Sequence, residues 1–168
     1  MKSRIVALAG ALFLGTIVSA HAVEIQKKVE VPGNPESVWK IANEFCSIKT
    51  WHPAFSDCTQ SMENGVVWRV LTLRDGGGKI REKLTDVDDY SYSYSIVEAP
   101  LPIKNHKGKF WVEKSEMPSR SMLHWNVSFD LKEGSEAETE TTTKAIDGIL
   151  ANGLENIKNI AAKSGDCK

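Results

Sequence analysis

The chain has 168 residues, 41% of them apolar, 26% charged and 8% aromatic, proportions that suit one globular domain with a modest core and exclude two large domains or long disorder. Its 21 Lys and Arg nearly balance its 22 Asp and Glu. It therefore lacks the positive excess of a protein that grips phosphate backbones, and nucleic acid is not an expected partner.

The first 22 residues do not read as part of that domain. Lys2 and Arg4 form a positive start, Ile5 to Val18 is an apolar run short for a bilayer, and Ala20-His21-Ala22 is a small-x-small cleavage site. Cleavage after Ala22 leaves residues 23–168 as a single domain of 146 residues with 19 basic and 22 acidic groups, net about −3. An uncleaved anchor is the competing reading, but the flanks fit a signal better than a stop-transfer helix. No later stretch approaches ~18 uninterrupted apolar residues. The expected product is exported, periplasmic in a Gram-negative host, and free of the membrane once cleaved.

Cysteine usage suits that address. Cys46 and Cys58 lie twelve apart, on either side of Trp51-His52-Pro53, and an oxidising compartment permits them to pair. Two separate buried thiols, or a metal site that recruits His52, are the alternatives; no CxxC and no second His at ligand spacing supports zinc. Cys167, one residue from the end, reads as a free tail thiol.

Along the domain, Glu24 to Val31 alternates weakly and stops at Pro32-Gly33, so it reads as a first strand. Asn34 then caps a helix that opens with Pro35 and carries Val38, Trp39, Ile41, Ala42 and Phe45 as its apolar stripe. A short helix or turn follows through Ser47 to Thr50 and ends at Trp51-His52-Pro53. From Phe55 to Leu131 the pattern changes to short runs of period two. Turn chemistry separates them at Glu63-Asn64-Gly65, Asp75-Gly76-Gly77-Gly78, Asp88-Asp89, Ala99-Pro100-Leu101-Pro102 and Met117-Pro118-Ser119, as in a meandering antiparallel sheet. Helical period returns from about Glu138 to Ala162, with Ile146, Ile149, Leu150, Gly153, Leu154, Ile157 and Ile160 on one face; Glu133 to Thr143 reads as a turn and helix start. The sum is an α+β domain whose sheet can curve around one long C-terminal helix.

That order of elements, with Trp51-His52-Pro53, Arg69-Val70-Leu71-Thr72-Leu73, Glu82-Lys83-Leu84, Tyr94-Ser95-Ile96-Val97-Glu98, Pro100-Leu101-Pro102-Ile103-Lys104-Asn105 and His124-Trp125, resembles the SRPBCC (START/Bet v 1-like, polyketide cyclase-like) superfamily over the whole mature chain. Among its members the small, exported form most resembles the MxaD-type accessory proteins of bacterial methanol oxidation. The resemblance implies a helix-grip fold: a seven-stranded antiparallel sheet around the C-terminal helix, two short helices near the start, and a cavity between. Fold alone does not deliver function, because the superfamily includes lipid carriers, hormone receptors and aromatase/cyclases.

Strand parity suggests what would line such a cavity. Val67, Arg69, Leu71 and Leu73 form one row and Ile80, Glu82 and Leu84 the next, each apolar but for one charge. A hairpin loop of Arg74 to Gly77 would set Arg69 directly opposite Glu82, and a six-residue loop would make them diagonal neighbours. A buried Arg demands a partner, so an ion pair follows. It either pins the strand register only or orients a polar ligand group. Tyr90, Tyr92, Tyr94 and Ile96 share a face of the next strand, Tyr94 and Ile96 pointing inward; His106 and Phe110 sit in the row after it, and Trp125 in the last apolar row, as cavity wall or plain core. The proline-bracketed loop Ala99 to Asn105, with Pro100, Leu101 and Pro102, lies where superfamily members carry a lid; it gates the cavity or simply connects strands.

The catalytic inventory is thin. His52 suits capping or packing, His124 has outward parity and reads as solvated, and His106 with Glu82 is the one combination suited to proton transfer. No G-x-S-x-G, HExxH, P-loop or G-x-G-x-x-G motif is present, so no catalytic residue, metal or cofactor is assigned. The leading expectation is a non-enzymatic periplasmic accessory or binding protein that assists a dehydrogenase and its cytochrome c partner. The alternatives are a carrier of a small hydrophobic or aromatic ligand, and a cyclase or hydrolase using Arg69, Glu82 and His106.

Overall fold

The computed structural model describes residues 22–132 and 136–165. The expected signal segment, apart from Ala22, and Cys167 lie outside the described residues. In chain order the elements are β1 (Val23–Pro32), α1 (Pro35–Ala42), α2 (Ile48–Trp51), β2 (Phe55–Glu63), β3 (Val66–Leu73), β4 (Lys79–Asp88), β5 (Ser91–Glu98), β6 (Ile103–Lys114), β7 (Arg120–Leu131) and α3 (Glu136–Gly165). The seven strands form one antiparallel sheet in the order β1-β7-β6-β5-β4-β3-β2, so every neighbour after β1 is joined by a hairpin. With a long terminal helix on the sheet, this is the helix-grip fold.

Local chemistry sets the boundaries. The Asn34 side chain accepts a hydrogen bond from the Ser37 amide at 2.8 Å, and Pro35 starts α1 where its missing N–H costs nothing. Asn64 and Gly65, both at positive φ, close the tight β2–β3 turn. Of the expected α3 face, Ile146, Leu150, Gly153, Leu154 and Ile157 are buried and Ile149 and Ile160 half-buried, and Thr142 and Ala161 extend the buried stripe at its two ends. That face lies along β1 and β7, and Asn156 Nδ2 donates to the Trp51 carbonyl at 2.6 Å, fastening α2 to α3.

Four expectations need correction. Tyr90 does not share the inward row of β5: it occupies the β4–β5 turn at φ 57° and is 36% exposed. The lid loop is shorter than Ala99 to Asn105, because Ile103 and Lys104 already pair with Leu131 and Asp130 of β7. The first helix stops at Ala42, so Phe45 lies in the turn beyond it and not on its apolar stripe. His124 is not a solvated side chain; it stacks on Trp111 at 4.4 Å with rings 3° from parallel, and its Nε2 lies 2.9 Å from Glu113 Oε1.

Candidate functional site

The β3–β4 hairpin places the two inward charges. Asp75, Gly76 and Gly78 take positive φ, the Leu73 amide donates to the Gly78 carbonyl, and a loop of Arg74 to Gly77 brings Arg69 directly across from Glu82. Arg69 Nε lies 2.5 Å from Glu82 Oε2, with both side chains almost wholly inaccessible. Arg69 Nη1 donates to the Phe45 carbonyl. The guanidinium carbon sits 3.8 Å from the Phe45 ring centre and 5.4 Å from that of Tyr94, cation–π distances in a dry setting. Among the described residues Nη2 has no hydrogen-bond partner. Burial works against the Arg69 charge, but Glu82 and the flanking Tyr92 and Tyr94 outweigh it and hold the guanidinium protonated. Burial pushes the Glu82 carboxyl up, and Arg69 opposes that rise.

Glu82 also borders a small internal cavity of about 40 Å³. Tyr94, His106 and Trp125 share its lining, Ile146, Ile149 and Leu150 of α3 cover it, and Leu101 closes the lid side. The β6 irregularity between Lys104 and Lys107, with Asn105 at φ 54°, aims His106 inward. His106 Nδ1 accepts from the Ile96 amide at 3.3 Å, which leaves Nε2 as the protonated nitrogen, and burial pushes the imidazole down to about 4. Trp125 Nε1 donates to Tyr94 Oη at 2.9 Å, and burial raises the Tyr94 phenol well above its ordinary value. Tyr94 lies flat over Gly108, where an added Cβ would come within 2.4 Å of the ring.

A cavity of this size holds a few waters, each needing roughly 10–15 Å³ of such space, and falls far below the ~300–1,000 Å³ of ligand pockets. Chemically, a carboxyl with a raised pKa and a neutral imidazole facing one water-sized space can hold or exchange a proton. No Ser, Thr, Cys or Lys joins them in that lining. Among the described residues no group of three or more His, Cys, Asp or Glu is placed to hold a metal.

Of the residues read from the sequence as cavity wall, the structure brings Glu82, Tyr94, Ile96, His106 and Trp125 together, with Leu101 above them. Phe110 is not among them. It is fully buried in an adjoining aromatic stack, 5.4 Å from Tyr92 and 5.7 Å from Trp51. Arg69 reaches the site through Glu82 and does not line the cavity itself, while Pro100 and Pro102 stay exposed. Cys46 and Cys58 form a disulfide that ties the segment after α1 to β2. His52 is a structural residue: its Nδ1 accepts from the Ala54 amide and its Nε2–H donates to the Ile149 carbonyl at 2.9 Å, so both nitrogens are used. Burial holds it near 4. Sequence reasoning missed Phe45 as the cap over Arg69; its place beside Cys46, just beyond α1, was the available signal.

A family model described as polyketide cyclase/dehydrase and lipid transport matches residues 22–162. The chain belongs to this polyketide cyclase/dehydrase and lipid-transport family. No curated protein matches the sequence. Among solved structures, the protein XoxI from Bacillus cereus is 27% identical, with a TM-score of 0.71 over 83% of this chain and 95% of that one. An uncharacterised protein from Bacillus thuringiensis is 25% identical, with a TM-score of 0.73 over 83% and 99%. The Zhui aromatase/cyclase from Streptomyces, at 13% identity and a TM-score of 0.67 over 85% and 95%, shares the fold. The seven-stranded sheet with the long α3 is the architecture that this chain shares with them.

Proposed function

We propose that this protein is an exported, MxaD-like accessory protein of the periplasm that works through its outer surface on a dehydrogenase and its cytochrome c, and carries no cargo. The observation that carries the reading is the interior: a space of about 40 Å³ has no room for a lipid or an aromatic polyketide. The disulfide supports an oxidising address, and the leader-like start of the sequence supports export. The likeness to XoxI, at 27% identity over 83% of this chain, supports the accessory reading.

The test is to purify the protein from its host's periplasm, record its native mass, and measure its binding to the purified periplasmic dehydrogenase and cytochrome c. The expected result is a mass equal to that of the polypeptide alone and saturable binding to one of the two proteins. A co-purifying organic ligand would overturn the reading in favour of a carrier. Unchanged growth and dehydrogenase activity on methanol after clean deletion, in a host that uses methanol, would remove the methanol assignment.

A further inference from the structure

The β5–β6 ladder stops early. Tyr94 and Gly108 are its last pair, although β5 runs on to Glu98 and β6 begins at Ile103. The Val112 amide donates to the Tyr90 carbonyl, and antiparallel strands exchange such bonds at every second residue. Tyr92 with Phe110, Tyr94 with Gly108 and then Ile96 with His106 are therefore the pairs due to exchange them. At the third of these the Ile96 amide donates to His106 Nδ1, at 3.3 Å, so a ring nitrogen stands where the ladder calls for a carbonyl. Because ladder bonds run across the strands in the plane of the sheet, the ring itself occupies the gap between β5 and β6. Irregularities flank that gap on both sides, between Ile96 and Glu98 in the β4–β5 ladder and between Lys104 and Lys107 in β6.

Ile96 and His106 border space on both faces of the sheet. Inside lies the chamber of about 40 Å³ bordered by Glu82; outside lies an open notch of about 600 Å³ edged by Lys83, Ser95, Asn105 and Lys107. Lys83, Ser95 and Lys107 each follow a chamber residue in sequence, Glu82, Tyr94 and His106, which puts them on the opposite face. What separates chamber from notch at the seam is the His106 ring, fastened there by one long hydrogen bond. Its Nε2 has no hydrogen-bond partner among the described residues, and the notch gives the ring room to turn outward. Opening the chamber on its α3 side would instead require Ile146, Ile149 and Leu150 to leave the sheet together. The mouth also selects: two lysines and no carboxylate line the notch, so it repels cations.

We infer that His106 is a gate in the sheet: its ring swings outward into the notch and lets neutral or anionic molecules of about the size of water reach Glu82 from the outer face. This goes beyond the accessory reading and does not depend on it, because the chamber is too small for cargo whether the gate is open or shut.

The test uses the isotope-labelled protein, expressed with its own leader and purified from the periplasm. Amide hydrogen exchange followed by NMR is expected to be at least about tenfold faster at Ile96 than at Tyr92 and Tyr94, whose ladder is unbroken. Ser95→Trp, which fills the space that the ring swings into, should slow exchange at Ile96 and leave Tyr92 and Tyr94 unchanged. Equal protection at the three amides would mean that the ring leaves only when the sheet unfolds, and Ile96 exchange untouched by Ser95→Trp would mean that the strand end merely frays; either overturns the inference. A second arm removes the gate. His106→Ala is expected to bind added imidazole in the vacated slot, shifting the Ile96 amide and the Trp125 indole N–H at the chamber wall, where the wild type shows no shift. In that background Ser95→Trp should slow imidazole association at least about tenfold, and Leu101→Trp, on the chamber border away from the seam, should not. Slowing by Leu101→Trp alone, or no imidazole binding by a folded His106→Ala, would place the entry elsewhere and overturn the gate. The exchange measurements do not involve His106→Ala, so they decide the matter if that variant fails to fold.

Discussion

Arg69 and Glu82 face each other directly across the β3–β4 ladder, 2.5 Å apart and almost wholly inaccessible. Two charges in that setting lose hydration that their attraction only partly restores, so the pair is a weak source of net stability and a severe liability when one member is removed. Arg69→Met or Glu82→Gln alone is expected to cost about 3–5 kcal/mol, whereas the double variant Arg69→Met, Glu82→Leu should cost much less than the sum of the two. Urea unfolding of the four proteins measures this coupling. Additive single-variant losses would show that the two groups do not act as a pair.

The two buried histidines set a pH dependence. His52 and His106 are pushed to about 4 when folded, against an ordinary 6.5. The unfolded chain therefore binds more protons than the folded one between those values, and stability falls as pH drops through that window, by about 1.4 kcal/mol per pH unit for each histidine. Glu82 acts in the opposite sense: burial raises its carboxyl, so its contribution declines as pH rises through the folded-state value. Urea unfolding at intervals from pH 7 to pH 5 should show a net loss on acidification, and His106→Gln should remove about half the slope. An unchanged slope in His52→Gln and in His106→Gln would mean that neither imidazole is kept neutral by burial.

The Cys46–Cys58 bridge closes a short loop, twelve residues in separation. Restricting the unfolded chain over that length corresponds to ~2–3 kcal/mol. The bond also anchors the residue next to Phe45, whose carbonyl accepts from Arg69. Cys46→Ser, Cys58→Ser is therefore expected to lower unfolding stability by ~2–3 kcal/mol, and reductant should lower the wild type by a similar amount and the variant not at all. A reductant-insensitive wild type would show that the bond does not form in solution.

What the sequence made legible followed from short-range rules. Period-two runs and Gly, Asn and Pro turns placed the strands, and the Arg74 to Gly77 loop, once assumed, fixed Arg69 against Glu82 because strand register propagates residue by residue. What stayed hidden depended on how far elements approach each other in space. Parity put Phe110 and Trp125 in equivalent inward rows, yet only Trp125 borders the cavity, because Trp51 and Tyr92 close around Phe110 first. His124 has outward parity as expected, and stacking on Trp111 rather than solvent claims it. The volume left inside is a residue of all such contacts together, and no periodicity reports it.

Two glycines of α3 test how closely that helix approaches the sheet. Alanine favours a helix over glycine by about 1 kcal/mol, so both substitutions would stabilise if only local propensity mattered. At Gly148 a Cβ would meet nothing within 4 Å, and Gly148→Ala is expected to stabilise by up to about 1 kcal/mol. At Gly153 a Cβ would stand 2.6 Å from the His52 ring and 2.8 Å from that of Trp125. Neither ring can easily give way: His52 is held at both nitrogens, and the Trp125 indole is fixed to Tyr94. Gly153→Ala must therefore push α3 off the sheet or break one of those bonds, and is expected to destabilise by about 1–3 kcal/mol despite its better helix propensity. Chemical unfolding of the two variants side by side reads the difference. Equal stabilisation at both positions would mean that the helix sits farther from the sheet in solution, with a correspondingly larger interior.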